Sequence, residues 1–119
     1  MGSQHSYYDL DERTFQFAKA VRMLVKTLPR DVACIEDCKQ LVRSSGSIGA
    51  NYREANEALS RKDFLMRIRI SRKEAKESAY WLRLIGETHE LVQVETVRSL
   101  VQEAEELTKI LSAIALKAM

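Results

Sequence analysis

Apolar residues return every three or four positions along most of the chain. This period is typical of amphipathic α-helices, and it divides the chain into segments at about residues 11–28, 32–58, 60–87 and from 94 onward. The pattern predicts an all-α protein, an antiparallel up-down-up-down four-helix bundle with short turns. Residues 1–9 are expected to form a flexible tail, and residues 10–119 a single domain.

Each predicted helix directs one face toward the bundle core. The inner positions are Phe17, Val21, Leu24 and Leu28; Ile35, Cys38, Val42, Ser45, Gly49, Tyr52, Asn56 and Leu59; Phe64, Ile68, Ser71, Ala75, Ser78 and Leu82; and Val97, Leu100, Val101, Ala104, Leu107, Leu111, Ile114 and Ala115. Two helix starts carry capping signals, which are Asp9 with Glu12 and Ser60 with Asp63. The last turn is predicted at "GETHELVQ", residues 86–93.

The stretch "RSSGSIGANYREANEA", residues 43–58, has an unusual density of small residues for a helix. Each interior Gly costs a helix about 1 kcal/mol relative to Ala, so Gly46 and Gly49 need a reason. Together with Ser45 and Ala50 they remove side-chain bulk over one turn and permit another backbone to approach closely. The approaching helix can belong to the same bundle or to another subunit, and the sequence leaves both open.

A second face of the second helix is polar, and its members lie three or four residues apart. If the second and third helices form a hairpin that turns near Ser60, this face meets a charged flank of the third helix. The predicted network consists of Arg43, Ser47, Asn51, Glu54, Arg67, Glu74 and Glu77, with the ion pairs Arg43–Glu77 and Arg67–Glu54. Because buried charges are usually paired, a structural role is favoured, and Glu77→Ala is expected to lower stability by ~3 kcal/mol.

The sequence carries no catalytic or metal-binding motif. The histidines are His5 and His89, and Gly86 stands where a Glu-x-x-His motif of a di-iron bundle needs its Glu. Cys34 and Cys38 supply at most half of a zinc site and are expected to be reduced, buried thiols. We therefore predict no enzyme, with no catalytic residue, metal or cofactor; the network carboxylates are a distant alternative as an active site. No apolar run reaches the ~20 residues of a membrane span, and a cytoplasmic location is expected.

Charge is unevenly distributed along the 119 residues, whose net charge is +2. Residues 60–76 include seven basic and two acidic residues, whereas residues 86–106 include one basic and six acidic residues. On a wheel of about 100° per residue, five cations form one outward stripe, which we name the basic ridge. Its members are Lys62, Arg69, Arg72, Lys76 and Arg83. Three interpretations are open: a solvated face, a contact with the acidic fourth helix of another subunit, or a surface for nucleic-acid phosphates.

Two segments carry a family resemblance. "SGSIGANYREANEALSRKDF" and "KEAKESAYWLRLI" resemble the four-helix-bundle proteins related to those encoded in intervening sequences of bacterial 23S rRNA genes. The matching positions are Ser47, Ile48, Asn51, Tyr52, Glu54, Arg61, Lys62, Asp63, Phe64, Lys73, Glu74, Glu77, Tyr80, Trp81 and Leu82. The match covers about residues 43–85, with Gly49 where the family often has Pro and Ala55 where it often has Gly.

The resemblance implies an antiparallel four-helix bundle that assembles into a homopentameric ring in the bacterial cytoplasm, with no established enzymatic activity. The chain is also similar to the accessory variability determinant of diversity-generating retroelements, a pentameric barrel that binds nucleic acid and a reverse transcriptase. By analogy, this similarity favours nucleic acid as a partner of the basic ridge. We therefore expect a non-enzymatic homo-oligomer that binds RNA or DNA. The alternative is a scaffold or assembly module that binds only protein.

Overall fold

The computed structural model describes residues 9–90 and 93–119. Over these ranges it contains four α-helices and no strand: α1 (Leu10–Val25), α2 (Val32–Asn56), α3 (Arg61–Thr88) and α4 (Val94–Ala118). The predicted all-α class is therefore confirmed. The predicted tail lies outside the described residues except for Asp9, and so do residues 91–92 of the predicted last turn. No helix in the described part of the chain is both long enough and apolar enough to cross a membrane.

The first turns of α2 and α3 are capped by a side chain, whereas that of α1 is not. The hydroxyl of Ser60 accepts a hydrogen bond from the backbone N–H of Asp63 at 3.1 Å, so the predicted cap of α3 is confirmed. The predicted cap of α1 is wrong, because Asp9 makes no capping hydrogen bond through its side chain. Instead, Asp31 caps α2 by accepting from the N–H of Cys34 at 2.9 Å, which the sequence analysis did not predict. Such caps satisfy N–H groups that have no partner within the helix.

The core is formed by apolar side chains from all four helices. Of the four predicted inner residues of the first segment, three lie on α1 and Leu28 follows it, and all four are buried. On α3 and α4 the predicted inner positions are buried or half-buried. The largest fully buried apolar side chains are Leu10, Val21, Leu41, Ile48, Ile68, Leu82, Ile85, Leu107 and Leu111. The periodicity of these three helices therefore identified their inner faces correctly.

The inner face of α2 is displaced from the predicted one. Leu59 is fully exposed beyond the helix end and Ile35 is 36% exposed, whereas Leu41 and Ile48, which the predicted stripe omitted, are fully buried. The buried positions are Cys34, Cys38, Leu41, Ser44, Ser45, Ile48 and Ala55. The predicted stripe was correct for Cys38 and Ser45, which are buried, but wrong at its ends. Because α2 packs against both α1 and α3, two neighbours direct its buried face.

The small residues of α2 accommodate α1 of the same chain. A Cβ atom added to Gly49 would lie 2.8 Å from Oγ1 and 3.2 Å from Cβ of Thr14, a buried side chain. Gly46 lies beneath the guanidinium of Arg22, which donates to the carbonyl oxygen of Val42 at 3.3 Å. The question that the sequence left open is thus answered at Gly49, where the close neighbour is another helix of the bundle.

An ion-pair cluster links α1 to α4, although these two helices pack less extensively than α2 with α3 or α3 with α4. Arg13 donates to Glu103 through Nε at 2.7 Å and through Nη2 at 2.9 Å, and to Glu106 at 2.7 Å. The hydrogen bond to Glu103 raises the pKa of Arg13, against the opposing effect of burial. Two carboxylates of the acidic segment are therefore engaged within the chain.

Candidate nucleic-acid interface

The basic ridge runs along the outer side of α3. Lys62, Arg69, Lys76 and Arg83 are exposed, as the wheel predicts. Arg72 is half-buried, and its Nε atom is buried without a hydrogen-bond partner among the described residues. The expectation that all five cations face solvent is therefore wrong for Arg72, whose wheel position lies at the margin of the stripe.

Most cations of the ridge have no acidic partner among the residues that the structure describes. Arg83 pairs with Glu87 one helical turn later at 3.3 Å, and both side chains are well exposed. Lys62, Arg69 and Lys76 form no ion pair with any residue in the described ranges. Exposed i,i+4 pairs are worth only a few tenths of a kcal/mol, so Arg83 can exchange its partner for a phosphate at little cost. The ridge therefore presents a row of positive charge that the protein itself leaves largely uncompensated.

Lys73 extends the charged surface beyond the five predicted residues. It borders a shallow groove together with Lys62 and Arg69, and the apolar lining of this groove includes Met66 and Ile70. Lys73 belongs to the basic segment of residues 60–76 but is not one of the five predicted ridge residues. Its wheel position, close to that of Lys62, was the signal that could have included it.

The opposite flank of α3 meets α2 through paired charges. Arg43 of α2 contacts Oε1 of Glu77 and lies 3.3 Å from Oε1 of Glu74. The predicted Arg43–Glu77 pair is therefore confirmed. However, the buried carboxylate is Glu74, with 8% of its side chain exposed, whereas Glu77 is 34% and Arg43 is 49% exposed. The ~3 kcal/mol expected for Glu77→Ala is accordingly revised to less than ~1 kcal/mol, because its pair is accessible to water.

Serine hydroxyls add hydrogen bonds to the same interface. The hydroxyls of Ser44 and Ser78 lie 2.9 Å apart, and Ser71 donates to the carbonyl oxygen of Ile48 at 2.7 Å. All three serines are fully buried. Their small side chains permit close packing, and their hydrogen bonds avoid the cost of an unsatisfied buried polar group.

The four other members of the predicted network do not form the predicted ion pair. Arg67 donates to the side-chain oxygen of Asn51 at 3.2 Å, whereas Glu54 is exposed and forms no ion pair with it. The predicted Arg67–Glu54 pair is therefore wrong, because the two helices bring Arg67 level with Asn51, one turn earlier in α2. Ser47 contributes its backbone carbonyl oxygen, which accepts from Nδ2 of Asn51 at 3.0 Å, and no hydrogen bond of its hydroxyl is seen within the described chain.

The two thiols are buried, and the imidazole is held by hydrogen bonds. The Sγ atoms of Cys34 and Cys38 are 3.9 Å apart and buried, and burial raises the pKa of Cys38 to about 12. His89 is bound to Asp31 at the opposite end of α3 from the basic groove. Within residues 9–90 and 93–119, no three His, Cys, Asp or Glu side chains converge as metal ligands would.

The fold and this surface define a class: all-α proteins that display a cationic helix. The family model of the 23S rRNA-intervening sequence protein matches residues 8–113. A similar solved structure is that of a protein of unknown function from the S23 ribosomal protein family of Bacteroides thetaiotaomicron. It is 36% identical, covers 88% of this chain and 96% of its own, and has a TM-score of 0.79. No curated protein matches the chain.

These similarities extend over nearly the whole chain, well beyond residues 43–85 on which the sequence resemblance was based. The chain belongs to the 23S rRNA-intervening sequence protein family. The solved relative is described as having unknown function, so the family membership supplies the fold and leaves the activity to be argued from the surface.

Proposed function

We propose that this protein is a non-enzymatic, cytoplasmic binding module that contacts RNA or DNA through the basic ridge. The observation that supports the proposal is the line of exposed cations on α3, of which only Arg83 has an acidic partner among the described residues. Binding of these cations to phosphates would release the counterions condensed on the nucleic acid, which is the main source of affinity for such surfaces.

The proposal includes an antiparallel up-down-up-down arrangement and assembly into a homopentameric ring. Contacts between α2 and α3 support the first part, since Arg43 and Ser44 meet Glu77 and Ser78, whereas the later Asn51 meets the earlier Arg67. A flank of α3 beside the ridge offers a surface for the second part. Four apolar side chains there remain partly or largely exposed: Met66, Ile70, Trp81 and Leu84. A ring would repeat the ridge around its circumference, and repeated weak sites increase the overall affinity.

Binding of a fluorescent structured RNA and of a duplex DNA across a salt series tests the proposal. We expect the affinity to fall steeply as salt rises, with a slope that reports the number of phosphates contacted. The informative variant reverses Arg69, Lys73 and Lys76 to Glu, since these three are exposed and form no ion pair within the described ranges. Arg72 is left unchanged because it is half-buried. Light scattering on the same samples gives the subunit number.

A matched control separates the ridge from net charge. Reversal of Lys19, Lys26 and Lys109 to Glu changes the total charge by the same amount, at exposed positions on α1, at its C-cap and on α4. We expect the ridge variant to lose binding and the control to retain most of it, with the helical content unchanged in both. Equal losses in the two variants would attribute binding to net charge alone. No binding by the unaltered protein at low salt would refute the proposal.

The alternative function is a scaffold that binds only protein. The observation that favours it is the same apolar flank of α3, where Met66 is exposed and the other three side chains are half-buried. Accessible apolar side chains in a row are typical of helix-mediated contacts. A protein-only scaffold would show no salt-dependent affinity for RNA or DNA. Its assembly would instead be sensitive to Met66→Asp or Ile70→Asp, which leave the ridge unchanged.

A further inference from the structure

An aromatic side chain lies within the basic ridge. Tyr80 follows Lys62 by five full helical turns, so the two side chains leave α3 in the same direction. Lys76 lies one turn before Tyr80, and Arg83 lies one turn after it. The tyrosine is 58% exposed, although the surrounding surface is charged. Its ring is therefore presented to solvent between two cations.

The ring of Tyr80 is held by its neighbour. The centroids of Tyr80 and Trp81 are 5.0 Å apart at an interplanar angle of 81°, which is an edge-to-face contact. Trp81 is partly buried and packs against the hydrophobic core. A ring supported in this way loses less conformational freedom when a ligand stacks on it, because part of that freedom is already restricted.

Cations and an exposed aromatic ring in one row match the chemistry of unpaired nucleotides. In a duplex the faces of the bases are covered by stacking, and a protein surface reaches mainly phosphates and base edges. In single strands and loops the faces are accessible, and they stack on Tyr, Phe or Trp while cations hold the adjacent phosphates. A row of cations alone would not distinguish these two ligands; the aromatic ring does.

We propose that the basic ridge binds unpaired nucleotides, with one base stacked on Tyr80 and the flanking phosphates bound by Lys76 and Arg83. This inference rests on the proposed nucleic-acid function and assigns its ligand class. Arg83 exchanges its exposed contact with Glu87 for a phosphate in the complex. Single strands and loops are therefore preferred over fully paired duplexes with the same total number of nucleotides.

Phe15 on α1 provides a matched control for the ring. Its exposure, 59%, is close to that of Tyr80 at 58%. However, it borders a groove of mixed charge, in which Asp11 and Glu12 lie with Arg53, and Arg53 pairs with Asp11 at 2.8 Å. Stacking on Phe15 would lack the row of exposed cations of the ridge, so the two positions compare the same aromatic exposure on a basic surface and on a surface of mixed charge.

The test compares three probes with the same total number of nucleotides and therefore similar charge: single-stranded oligothymidylate, an abasic single strand, and a paired duplex of two half-length strands. Affinities are measured for the unaltered protein and for Tyr80→Leu, Tyr80→Phe and Phe15→Leu. Because stacking is worth about 1–3 kcal/mol per base, we expect Tyr80→Leu to weaken oligothymidylate binding at least about five-fold. Binding of the abasic strand should not change, Tyr80→Phe should retain affinity, and Phe15→Leu should have no effect.

Intrinsic fluorescence gives a second readout, since Trp81 is the single tryptophan of the sequence. Oligothymidylate should change its emission in the unaltered protein and in Phe15→Leu, and less in Tyr80→Leu.

The outcomes separate this inference from the proposed function. If Tyr80→Leu leaves oligothymidylate binding intact while reversal of the ridge cations abolishes it, the stacking inference is wrong and the nucleic-acid function stands. An equal loss on the abasic strand, or tighter binding of the duplex, would also overturn the stacking inference. Absence of binding to all three probes at low salt would overturn both.

Discussion

Charged side chains on the two sides of α3 differ in burial and in pairing. On the side that meets α2, Glu74 and Glu77 share Arg43, and the nearby serine hydroxyls are bonded across the interface. On the outer side, Lys62 and Lys76 are exposed without an acidic partner in the described ranges. One helix thus combines a compensated interface with an uncompensated surface.

The difference follows from access to water. A buried carboxylate without a partner costs several kcal/mol, so charges at the α2–α3 interface persist only where they are paired. A hydrated ammonium or guanidinium group on the surface costs little, and its charge remains available to a ligand. Charges on the inner side therefore support the fold, whereas those of the ridge are candidates for binding.

The largest effect is expected for Arg43→Ala, which removes the partner of the buried Glu74 carboxylate. We expect a loss of about 3 kcal/mol in the free energy of unfolding, measured by urea denaturation. Lys39→Ala is the control, since its pair with Glu36 is exposed on both sides and should be worth less than ~1 kcal/mol. Adding Glu74→Leu to Arg43→Ala should recover stability. A loss equal to that of the control would place Glu74 in solvent.

A second prediction extends the comparison to the side of α2 that faces α1. Gly49→Ala places a Cβ atom 2.8 Å from Oγ1 of Thr14, and we expect a net loss of ~1–2 kcal/mol despite the better helix propensity of Ala. Gly46→Ala meets only the mobile end of Arg22, at 3.2 Å, and should be neutral or stabilising by up to ~1 kcal/mol. Thermal and urea denaturation of both variants measure the contrast. Equal effects would show that α1 does not approach α2 closely at Gly49.

Glu77→Ala is expected to have a smaller effect, because Glu77 is 34% exposed and Glu74 remains as a partner for Arg43. The loss should be about 0.5 kcal/mol and should shrink at high salt, as for other solvent-accessible ion pairs. Denaturation at low and high ionic strength measures it. A loss near 3 kcal/mol would instead show that water does not reach this pair.

The smallest effect concerns pH and the contact between the two turns. Nε2 of His89 lies 3.0 Å from Asp31, and Nδ1 lies 3.2 Å from the carbonyl oxygen of Ile85. Both partners accept hydrogen bonds, so the protonated ring satisfies both at once. The hydrogen bond to Asp31 raises the pKa of His89 above its ordinary value of 6.5. The contribution to stability is therefore complete below pH 6.5 and is lost as pH rises through the folded-state pKa.

Melting temperatures of the unaltered protein and of His89→Ala across pH 5–9 check this expectation. Their difference should decrease as pH rises. Asp31→Asn serves as control, because Asn retains the capping oxygen for Cys34 and removes the negative charge. In that background the pH dependence of the difference should flatten. A difference independent of pH would show that the imidazole is not charged in this contact.

Features that depend on nearby residues were predicted well. The Ser60 cap is a contact within four residues, and the apolar stripes of α1, α3 and α4 follow from the helical period alone. The outward direction of most of the ridge follows from the same period. The caps of α1 and α2 are exceptions among the local features, because Asp9 forms no cap and Asp31 does. The other failures involve partner choice, as with Arg67, which binds Asn51 rather than Glu54. An axial shift of one turn between neighbouring helices changes such a partner without changing any local signal.

By itself, the sequence determined that four helices form, which residues of three of them face the core, and where positive charge accumulates. These properties arise from the 3.6-residue period and from residue type, and they need no knowledge of a partner. Only the tertiary structure decided that Glu74 is the buried carboxylate, that Thr14 packs against Gly49, and that Arg13 binds Glu103, ninety residues away. These contacts depend on the rotation and offset of whole helices, which the packing of all the side chains sets together.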